Sequence, residues 1–221
     1  MNHKKIYLLI SAVIFSQMIN SQDEEIAEAI RILPNFENGM RIYRKCVACH
    51  NSTGGGKSGN YPQIAGQHIK VIIKELSNIR HRERENIMME PFSQHRVLGG
   101  ANNIADVAGY ISRLAICPDN EIGPGNDLHH GAQLYNLHCA QCHGVTGAGS
   151  NADFYPRIHG QHFSYLLRQL QSFVLDQRHN GDPIMIKKIS QFTERDQKAV
   201  ADYVSRLRPP IELLSPTNCY N

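Results

Sequence analysis

The stretch CVACH at Cys46–His50 recurs as CAQCH at Cys139–His143. In both stretches two residues separate a pair of cysteines, and a histidine directly follows the second cysteine. A chain that carries the pattern twice is expected to perform the same chemistry at two sites.

The remainder of the chain repeats in the same order as the two motifs, which indicates two homologous domains. The matching pairs are GMRIY (39–43) with GAQLY (131–135), YPQIAGQH (61–68) with YPRIHGQH (155–162), IMMEPFSQ (87–94) with IMIKKISQ (184–191), and YISRL (110–114) with YVSRL (203–207). The repeat predicts one domain at residues 36–115 and a second at 128–208. Residues 116–127 are rich in Pro, Gly, Asn and Asp, which is typical of a linker, and residues 209–221 form a C-terminal tail.

The first 21 residues have the layout of a secretory signal peptide. The basic start MNHKK is followed by an apolar run at residues 6–15 and then by a polar segment. We therefore expect export to the periplasm with cleavage near Ser21; the alternative is an uncleaved N-terminal anchor. Export places the six cysteines in an oxidising compartment, where they are not expected to remain ordinary free thiols.

The composition is that of a soluble globular protein, with 41% hydrophobic and 19% charged residues. Removal of residues 1–21 takes away two of the 23 basic residues and no acidic residue, so the formal charge falls from +3 to +1. This balance argues against a nucleic-acid partner. It also provides no strong electrostatic steering of either sign.

Hydrophobic periodicity predicts an all-α fold with three principal helices in each domain. The first helix precedes the cysteine pair, over residues 36–44 and 128–137. The second follows the GQH sequence, and the third runs into the Y-x-S-R-L sequence. No convincing alternating pattern of a strand is present.

Gly39 and Gly131 occupy the same position in the first helix of their domains, and a tyrosine follows four residues later. The third helices carry a tyrosine as well, Tyr110 and Tyr203. Glycine permits close approach of two helices. The sequence therefore predicts that the first and third helices cross at these glycines and that facing tyrosines lock the crossing.

Three chemistries use paired cysteines. A thioredoxin-like redox site needs a βαβ unit, which this chain does not offer, and a structural zinc site needs further Cys or His ligands in each domain. Covalent haem attachment uses C-x-x-C-H as it stands. The sequence therefore predicts two haem c groups. The attachment residues are Cys46, Cys49, Cys139 and Cys142, and the proximal iron ligands are His50 and His143.

The remaining iron-site residues are predicted from the repeat. Pro62 and Pro156 either offer a backbone carbonyl to the second ring nitrogen of the proximal histidine or only shape a turn. The aligned methionines, Met88 and Met185, are the predicted distal ligands. In the first domain the adjacent Met89 competes with Met88.

His68 and His162 also repeat, directly after Gly-Gln. Histidine is a second kind of distal ligand, but these two positions stand at predicted helix starts. We expect them to cap the following helix or to lie at the surface.

With these features each half resembles a class I cytochrome c, and the two halves in tandem resemble the di-haem cytochrome c4 family. The resemblance covers roughly residues 36–208. It implies a periplasmic protein with peripheral membrane association, in which two His/Met haems lie around a pseudo-twofold axis. It also implies redox partner proteins, with a quinol-oxidising complex as donor and a terminal oxidase or another reductase as acceptor.

Some features of domain 1 depart from the family pattern. Its YRKC segment is one residue shorter than YNLHC in domain 2, Asn51 replaces the usual glycine after C-x-x-C-H, and residues 95–102 are an insertion. Cys117 and Cys219 have no counterpart in the repeat. They either form a disulfide, which would tie the tail to the linker, or remain unpaired or intermolecular.

The favoured function is single-electron transfer through two six-coordinate haems. One alternative is a di-haem enzyme, a peroxidase or a thiosulfate-oxidising cytochrome, with an open distal site on haem 1. Methionines aligned in both halves argue against it. Another alternative is a subunit held within a larger respiratory or nitrogen-cycle complex.

Overall fold

Domain 1 is a bundle of helices around the first cysteine motif. The computed structural model describes residues 22–56, 59–216 and 219, so the predicted signal sequence at 1–21 lies outside the described residues. The helices are α1 (22–31), α2 (Phe36–Tyr43), α3 (Val47–His50), α4 (Ile69–Arg80), α5 (Glu90–Ser93), α6 (His95–Leu98) and α7 (Ala101–Ser112). Helices α2 and α4 both pack on α7, and the core includes Ile73, Ile104 and Val107.

Domain 2 repeats the order of the principal helices, but residues 116–208, all of which the structure describes, contain no counterparts of α1 and α6. Its helices are α8 (Leu128–Leu134), α9 (Ala140–His143), α10 (Phe163–Val174), α11 (Pro183–Ile189) and α12 (Glu194–Ser205). A π-helical turn, Tyr135–Cys139, joins α8 to α9. A π turn accommodates one additional residue within a helix, and here it absorbs the residue by which YNLHC exceeds YRKC. The regular first helix therefore ends at Leu134 rather than at the predicted residue 137.

Helices α2 and α7 of domain 1 and helices α8 and α12 of domain 2 cross at the predicted glycines. A Cβ atom on Gly39 would lie 2.1 Å from the carbonyl oxygen of Asp106, and one on Gly131 would lie 2.1 Å from that of Ala199. No side chain fits at such distances. Helix α2 therefore meets α7, and α8 meets α12, backbone to backbone.

Tyrosine pairs lock both crossings, as predicted. The ring centroids of Tyr43 and Tyr110 are 5.3 Å apart, and those of Tyr135 and Tyr203 are 5.4 Å apart. The interplanar angles are 46° and 48°. Tilted rings at this separation are favourable for aromatic quadrupoles. The two domains thus share this detail of packing as well as their helix order.

Helix α1 covers part of domain 1 ahead of the region that repeats. Ala29 is buried in the domain core, and Ile26 and Ile30 pack against it. Glu25 accepts hydrogen bonds from the Ser77 hydroxyl, at 2.8 Å, and from the guanidinium of Arg80 on α4. Sequence repetition does not predict this helix, because the linker stands at the corresponding position before domain 2.

The all-α prediction is confirmed over the part of the chain that the structure describes. There, β-pairing is limited to two isolated bridges, Ile116 with Leu214 and Ser150 with Tyr155. Among the same residues, no helix combines the length and the apolar character that a membrane crossing requires.

The linker and the C-terminal tail are fastened to each other. The amide of Ile116 donates to the carbonyl of Leu213, and the amide of Ser215 donates to the carbonyl of Ile116, both at 2.8 Å. The next linker residue, Cys117, forms a disulfide with Cys219, with 5.7 Å between the Cα atoms. Of the alternatives for these two cysteines, the intramolecular disulfide is the one present. The bridged residues are 102 apart in sequence, and domain 2 lies between them.

Replacement of Cys117 and Cys219 together by alanine is expected to lower the free energy of unfolding by about 2–4 kcal/mol, because the unfolded chain regains the entropy that the crosslink removes. Thermal unfolding of the double variant and the wild type, followed by far-ultraviolet circular dichroism, measures this loss. An unchanged unfolding midpoint would show that the hydrogen bonds at Ile116 hold the tail without help from the disulfide.

The two domains meet through a reciprocal exchange of glutamine side chains. The Gln67 amide donates to the carbonyl of Arg157 and accepts from its N–H, both at 2.9 Å. Gln161, the repeat counterpart of Gln67, donates to the carbonyl of Gln63 at 2.8 Å and accepts from its N–H at 2.9 Å. Gln63 and Arg157 are themselves counterparts. The interface is therefore symmetric about a pseudo-twofold axis, as the resemblance implies.

Candidate haem sites

One continuous cleft of about 1170 Å³ is lined by both cysteine motifs. A pocket for a single small ligand typically occupies roughly 300–1,000 Å³. The apolar part of the lining includes Val71 and Leu76 from domain 1 and Leu166 and Phe173 from domain 2. The predicted site residues that line the cleft are Cys46, Cys49, His50, Met88 and Met89 in domain 1 and Cys139, Cys142, His143 and Met185 in domain 2. Folding thus brings both predicted sets to one large, mostly apolar space, which suits two porphyrins.

The two proximal histidines are buried and held alike. His50 Nδ1 donates to the carbonyl of Pro62 at 3.1 Å, and His143 Nδ1 donates to the carbonyl of Pro156 at 3.0 Å. Such a bond fixes the ring and directs the other nitrogen to a metal. Burial lowers the pKa of both histidines, and the proline hydrogen bonds oppose this only in part. The neutral imidazole that binds metals is therefore favoured at neutral pH. Between the two roles predicted for the prolines, the carbonyl acceptor is confirmed.

The first cysteine of each motif is a poor thiolate. Burial raises the pKa of the Cys46 thiol to about 11 and that of the Cys139 thiol to about 12. Thiols with such pKa values are almost fully protonated at neutral pH. This environment disfavours thiol–disulfide exchange and is compatible with cysteines that are consumed in thioether bonds.

The residue after each motif has a backbone conformation with positive φ, 75° at Gly144 and 52° at Asn51. With ψ of 160° at Gly144 and 178° at Asn51, this conformation lies outside the αL region that asparagine tolerates and is costly for a residue with a side chain. The hydroxyl of Tyr43 donates to the carbonyl of Asn51 at 2.8 Å, and the hydroxyl of Tyr135 donates to that of Gly144. The tyrosines that lock the helix crossings therefore also anchor the loops that follow the proximal histidines.

Asn51 adds contacts that a glycine does not offer. Its Oδ1 atom accepts from the amides of Thr53, at 3.0 Å, and Gly55, at 3.3 Å. Its Nδ2 atom donates to the carbonyls of Gly56, at 3.1 Å, and Cys219, at 3.4 Å. The departure from the family pattern at this position thus connects the loop that follows the first proximal histidine to the disulfide-bound tail.

The three candidate distal methionines have different surroundings. Met185 lies in the first turn of α11 and packs against the core of domain 2. The side chain of Met88 is 64% exposed, whereas Met89, at the start of α5, is partly buried. All three line the cleft. Met88 and Met89 therefore both remain candidates in domain 1, and the choice of Met88 stays a prediction.

The histidines of the GQH sequences hold the opposite domain. His162 Nε2 donates to the carbonyl of Gly55 at 2.8 Å, and His68 Nε2 donates to the carbonyl of Ala148 at 2.9 Å. Gly55 and Ala148 are counterparts in the loops that directly follow the two proximal histidines, residues 51–56 and 144–149, which we call the first and second haem loops.

Neither histidine caps its helix with its side chain, and His162 is only 1% exposed. Both histidines stand at helix starts, as predicted, because they are the N-cap residues of α4 and α10. The expected capping by their side chains is wrong, and so is a surface position for His162, whereas His68 is partly buried. The repeated GQH was the available signal, but the partner of each histidine depends on how the domains dock.

The stability of the domain interface is expected to fall as the pH drops below 6.5, the ordinary pKa of histidine. His162 Nδ1 accepts from the amide of Glu121 at 3.0 Å, so protonation would set one N–H against another. Burial lowers the pKa of His162, and its hydrogen bond to Gly55 and the charge of Glu121 oppose this. As the pH falls, the unfolded chain therefore takes up the proton at a higher pH than the folded chain does. The contribution of His162 to the free energy of unfolding is complete above pH 6.5 and is lost as the pH falls through the lower folded-state pKa.

Unfolding midpoints of the wild type and of His162→Gln, measured between about pH 8 and pH 5, test this prediction. The variant should lose less stability across the acidic half of the range than the wild type does. Equal pH slopes would assign the effect to other groups.

Fold and site together define a protein of two helical domains, each built to carry one covalently attached haem. The profile of the cytochrome c family matches residues 36–115 and 128–208. The chain belongs to the cytochrome c family, and its two domains and relatives place it in the di-haem cytochrome c4 family.

Known relatives agree with this assignment. The chain is 26% identical over 170 residues to cytochrome c4 from Pseudomonas aeruginosa. The alignment covers 73% of this chain and 83% of that relative. The structure of reduced recombinant cytochrome c4 from Pseudomonas stutzeri matches with a TM-score of 0.71 and 23% identity, over 80% of this chain and 100% of that one. Thiosulfate dehydrogenase from Marichromatium purpuratum matches with a TM-score of 0.68 and 26% identity, over 79% of this chain and 40% of that one. The protein is thus a di-haem electron-transfer cytochrome with two covalently bound haem c groups.

Proposed function

We propose that the protein is a periplasmic carrier of single electrons whose two haems each have one histidine and one methionine ligand. His50 and Met88 ligate the first iron, and His143 and Met185 ligate the second. One observation carries the proposal: both domains orient a buried proximal histidine through a proline carbonyl, in a cleft that repeat-matched methionines also line.

When bound, the haems supply one-electron redox chemistry, and a methionine ligand raises the reduction potential of a haem. The chain holds its two proximal histidines in fixed orientations. The proline carbonyls orient the histidine rings, and the hydroxyls of Tyr43 and Tyr135 anchor the loops behind them. Ligands that do not move between redox states favour fast electron exchange.

We further propose that electrons arrive from a quinol-oxidising complex and leave to a terminal oxidase or another reductase, with peripheral association at the membrane. The chain without its signal sequence has a formal charge near zero, which favours short-range contacts over long-range steering. Ile87 and Ile184, which precede the two proposed distal methionines, are 87% and 63% exposed. We propose that partner proteins dock at the surface beside each site, where these repeat-matched apolar side chains lie.

An optical spectrum of the oxidised and the reduced protein, repeated with carbon monoxide, tests the proposal. We expect the far-red methionine–iron band at an intensity that accounts for two haems and little change with carbon monoxide. One haem that lacks the band and readily binds carbon monoxide would contradict His/Met ligation at that site.

The second candidate is an enzyme with an open iron in domain 1. The high exposure of Met88 favours it. The likeness to a thiosulfate dehydrogenase spans only 40% of that chain and does not by itself favour catalysis here. Reduction of the haems by thiosulfate alone, with stoichiometric tetrathionate formation, would support this candidate. A protein that only accepts electrons from an added dehydrogenase would support the carrier.

A further inference from the structure

A cluster of polar side chains joins the two domains within the cleft. Glu75 accepts hydrogen bonds from Arg84, at 2.6 Å, and from Arg178, at 3.0 Å. Arg84 also donates to the Tyr165 hydroxyl and to Gln169 Oε1, both at 3.0 Å. Arg178 donates to the same oxygen of Gln169 at 2.5 Å. All five side chains line the cleft that both cysteine motifs share, and we call them the interdomain arginine cluster.

The cluster follows the pseudo-twofold axis of the molecule. Glu75 and Gln169 are the seventh residues of α4 and α10, and Arg84 and Arg178 follow them at the same distance along the chain. Each arginine donates to both Glu75 and Gln169. The arrangement is therefore symmetric in geometry but not in charge, because one acceptor is a carboxylate and its counterpart is an amide.

Positive charge exceeds negative charge at this place even when Asp182, a second carboxylate that acts on Lys74, is counted with Glu75. Lys74, whose Nζ atom donates to the carbonyl of Asn180 at 2.9 Å, adds a third cation beside the two arginines. The side chains of Arg84, Arg178 and Glu75 are 10%, 13% and 23% exposed. Burial raises the pKa of Glu75, but Arg178 and Arg84 outweigh it and lower the pKa to about 2. The carboxylate is thus ionised at neutral pH, and its charge is only weakly screened by solvent.

We propose that Glu75 sets the charge of the interdomain arginine cluster and through it the reduction potentials of both haems. The inference rests on the proposed electron-transfer function. Adding one electron lowers the positive charge of a haem site by one unit and involves no other bond change. A nearby carboxylate therefore favours the oxidised form, and removal of its charge favours the reduced form.

The geometry separates this charge role from a packing role. Gln169 accepts from both arginines through Oε1 alone, so Gln169→Glu can keep both bonds and changes mainly the charge. Glu75 instead accepts from Arg84 with Oε2 and from Arg178 with Oε1, so Glu75→Gln removes the charge and also turns one acceptor into a donor. The cationic excess also suits haem carboxylates, for which guanidinium groups are strong partners.

Glu75→Gln and Gln169→Glu form a matched pair of tests. At neutral pH the first removes one negative charge from the cluster and the second adds one, and both keep the side-chain shape. A unit charge about 10 Å away at an effective dielectric constant of about 20 changes a one-electron equilibrium roughly tenfold. Optically monitored potentiometric titration of the holoprotein measures the shift. Glu194→Gln is the control, because Glu194 lies at the surface in a pair with Lys198.

Upward shifts of both midpoint potentials in Glu75→Gln and downward shifts in Gln169→Glu, with Glu194→Gln unchanged, would support the inference. Potentials that stay at the control value in variants with intact haem spectra would overturn the inference but leave the electron-transfer function in place. Should Glu75→Gln fail to fold, Gln169→Glu carries the test alone. A wild type without two reversible one-electron steps would overturn the function itself.

Discussion

Replacement of Met185 by alanine is expected to remove the far-red methionine–iron band of one haem, about half of the total signal, and to lower the potential of that haem. The reason is that a methionine ligand raises the haem potential, and its loss leaves a vacant position or a weaker ligand. Met185 packs against the core of domain 2, so the truncation opens a gap on the cleft side. The oxidised spectrum per haem and a carbon monoxide titration measure both effects.

Three further variants make this test specific. Met40→Ala removes a methionine that is 43% exposed on α2, and it should leave the spectrum unchanged. Met88→Ala should remove the remaining half of the band, whereas an effect of Met89→Ala instead would transfer the role to its neighbour. A full band in Met185→Ala would refute methionine ligation in domain 2. No effect of either Met88→Ala or Met89→Ala would strengthen the enzyme candidate.

Replacement of Gly131 by valine is expected to destabilise the protein by more than about 4 kcal/mol, a range that only severe core defects reach. The Cβ atom alone would lie 2.1 Å from the carbonyl oxygen of Ala199 and 3.0 Å from the Cβ of Tyr203. Helices α8 and α12 would have to separate, and the contact of Tyr203 with Tyr135 would be lost. Because the Tyr135 hydroxyl anchors the second haem loop, we also expect incomplete haem incorporation in domain 2.

Gln133→Val is the matched control, because position 133 is exposed on the same helix and the substitution introduces the same β-branched side chain. Thermal unfolding and the haem-to-protein ratio are compared for both variants. If Gly131→Val yields no folded protein, Gly131→Ala provides the smaller perturbation, and Gly39→Ala repeats it in domain 1. A Gly131→Val variant as stable as the control would show that the helices do not need this close approach.

The two GQH histidines show where sequence reasoning reached its limit. Repetition marks His68 and His162 as positions with a shared role, but local sequence favours a cap for the helix that follows. In the fold both side chains instead reach the haem loop of the other domain. The competing interaction becomes available only when the domains dock, so no pattern within one domain contains it. Arg84 and Arg178 are similar cases. Arg84 donates to Gln169 and Arg178 donates to Glu75, each in the other domain, and no local sequence pattern predicts these contacts.

The sequence by itself determined the covalent chemistry, the duplication, the helical class and the glycine crossings. Each depends on residues a few positions apart or on a pattern that occurs twice, and short-range spacing dictates local geometry. Only the tertiary structure decided the Cys117–Cys219 disulfide, the π turn at Tyr135–Cys139, the reciprocal interface and the charge cluster around Glu75. Apart from the π turn, these features join residues that are distant in sequence, and the π turn shows where a packed domain absorbs an extra residue. Such contacts form only when packing of the whole chain brings the groups together. The spacing of two residues along the sequence does not determine the distance between them in the folded protein.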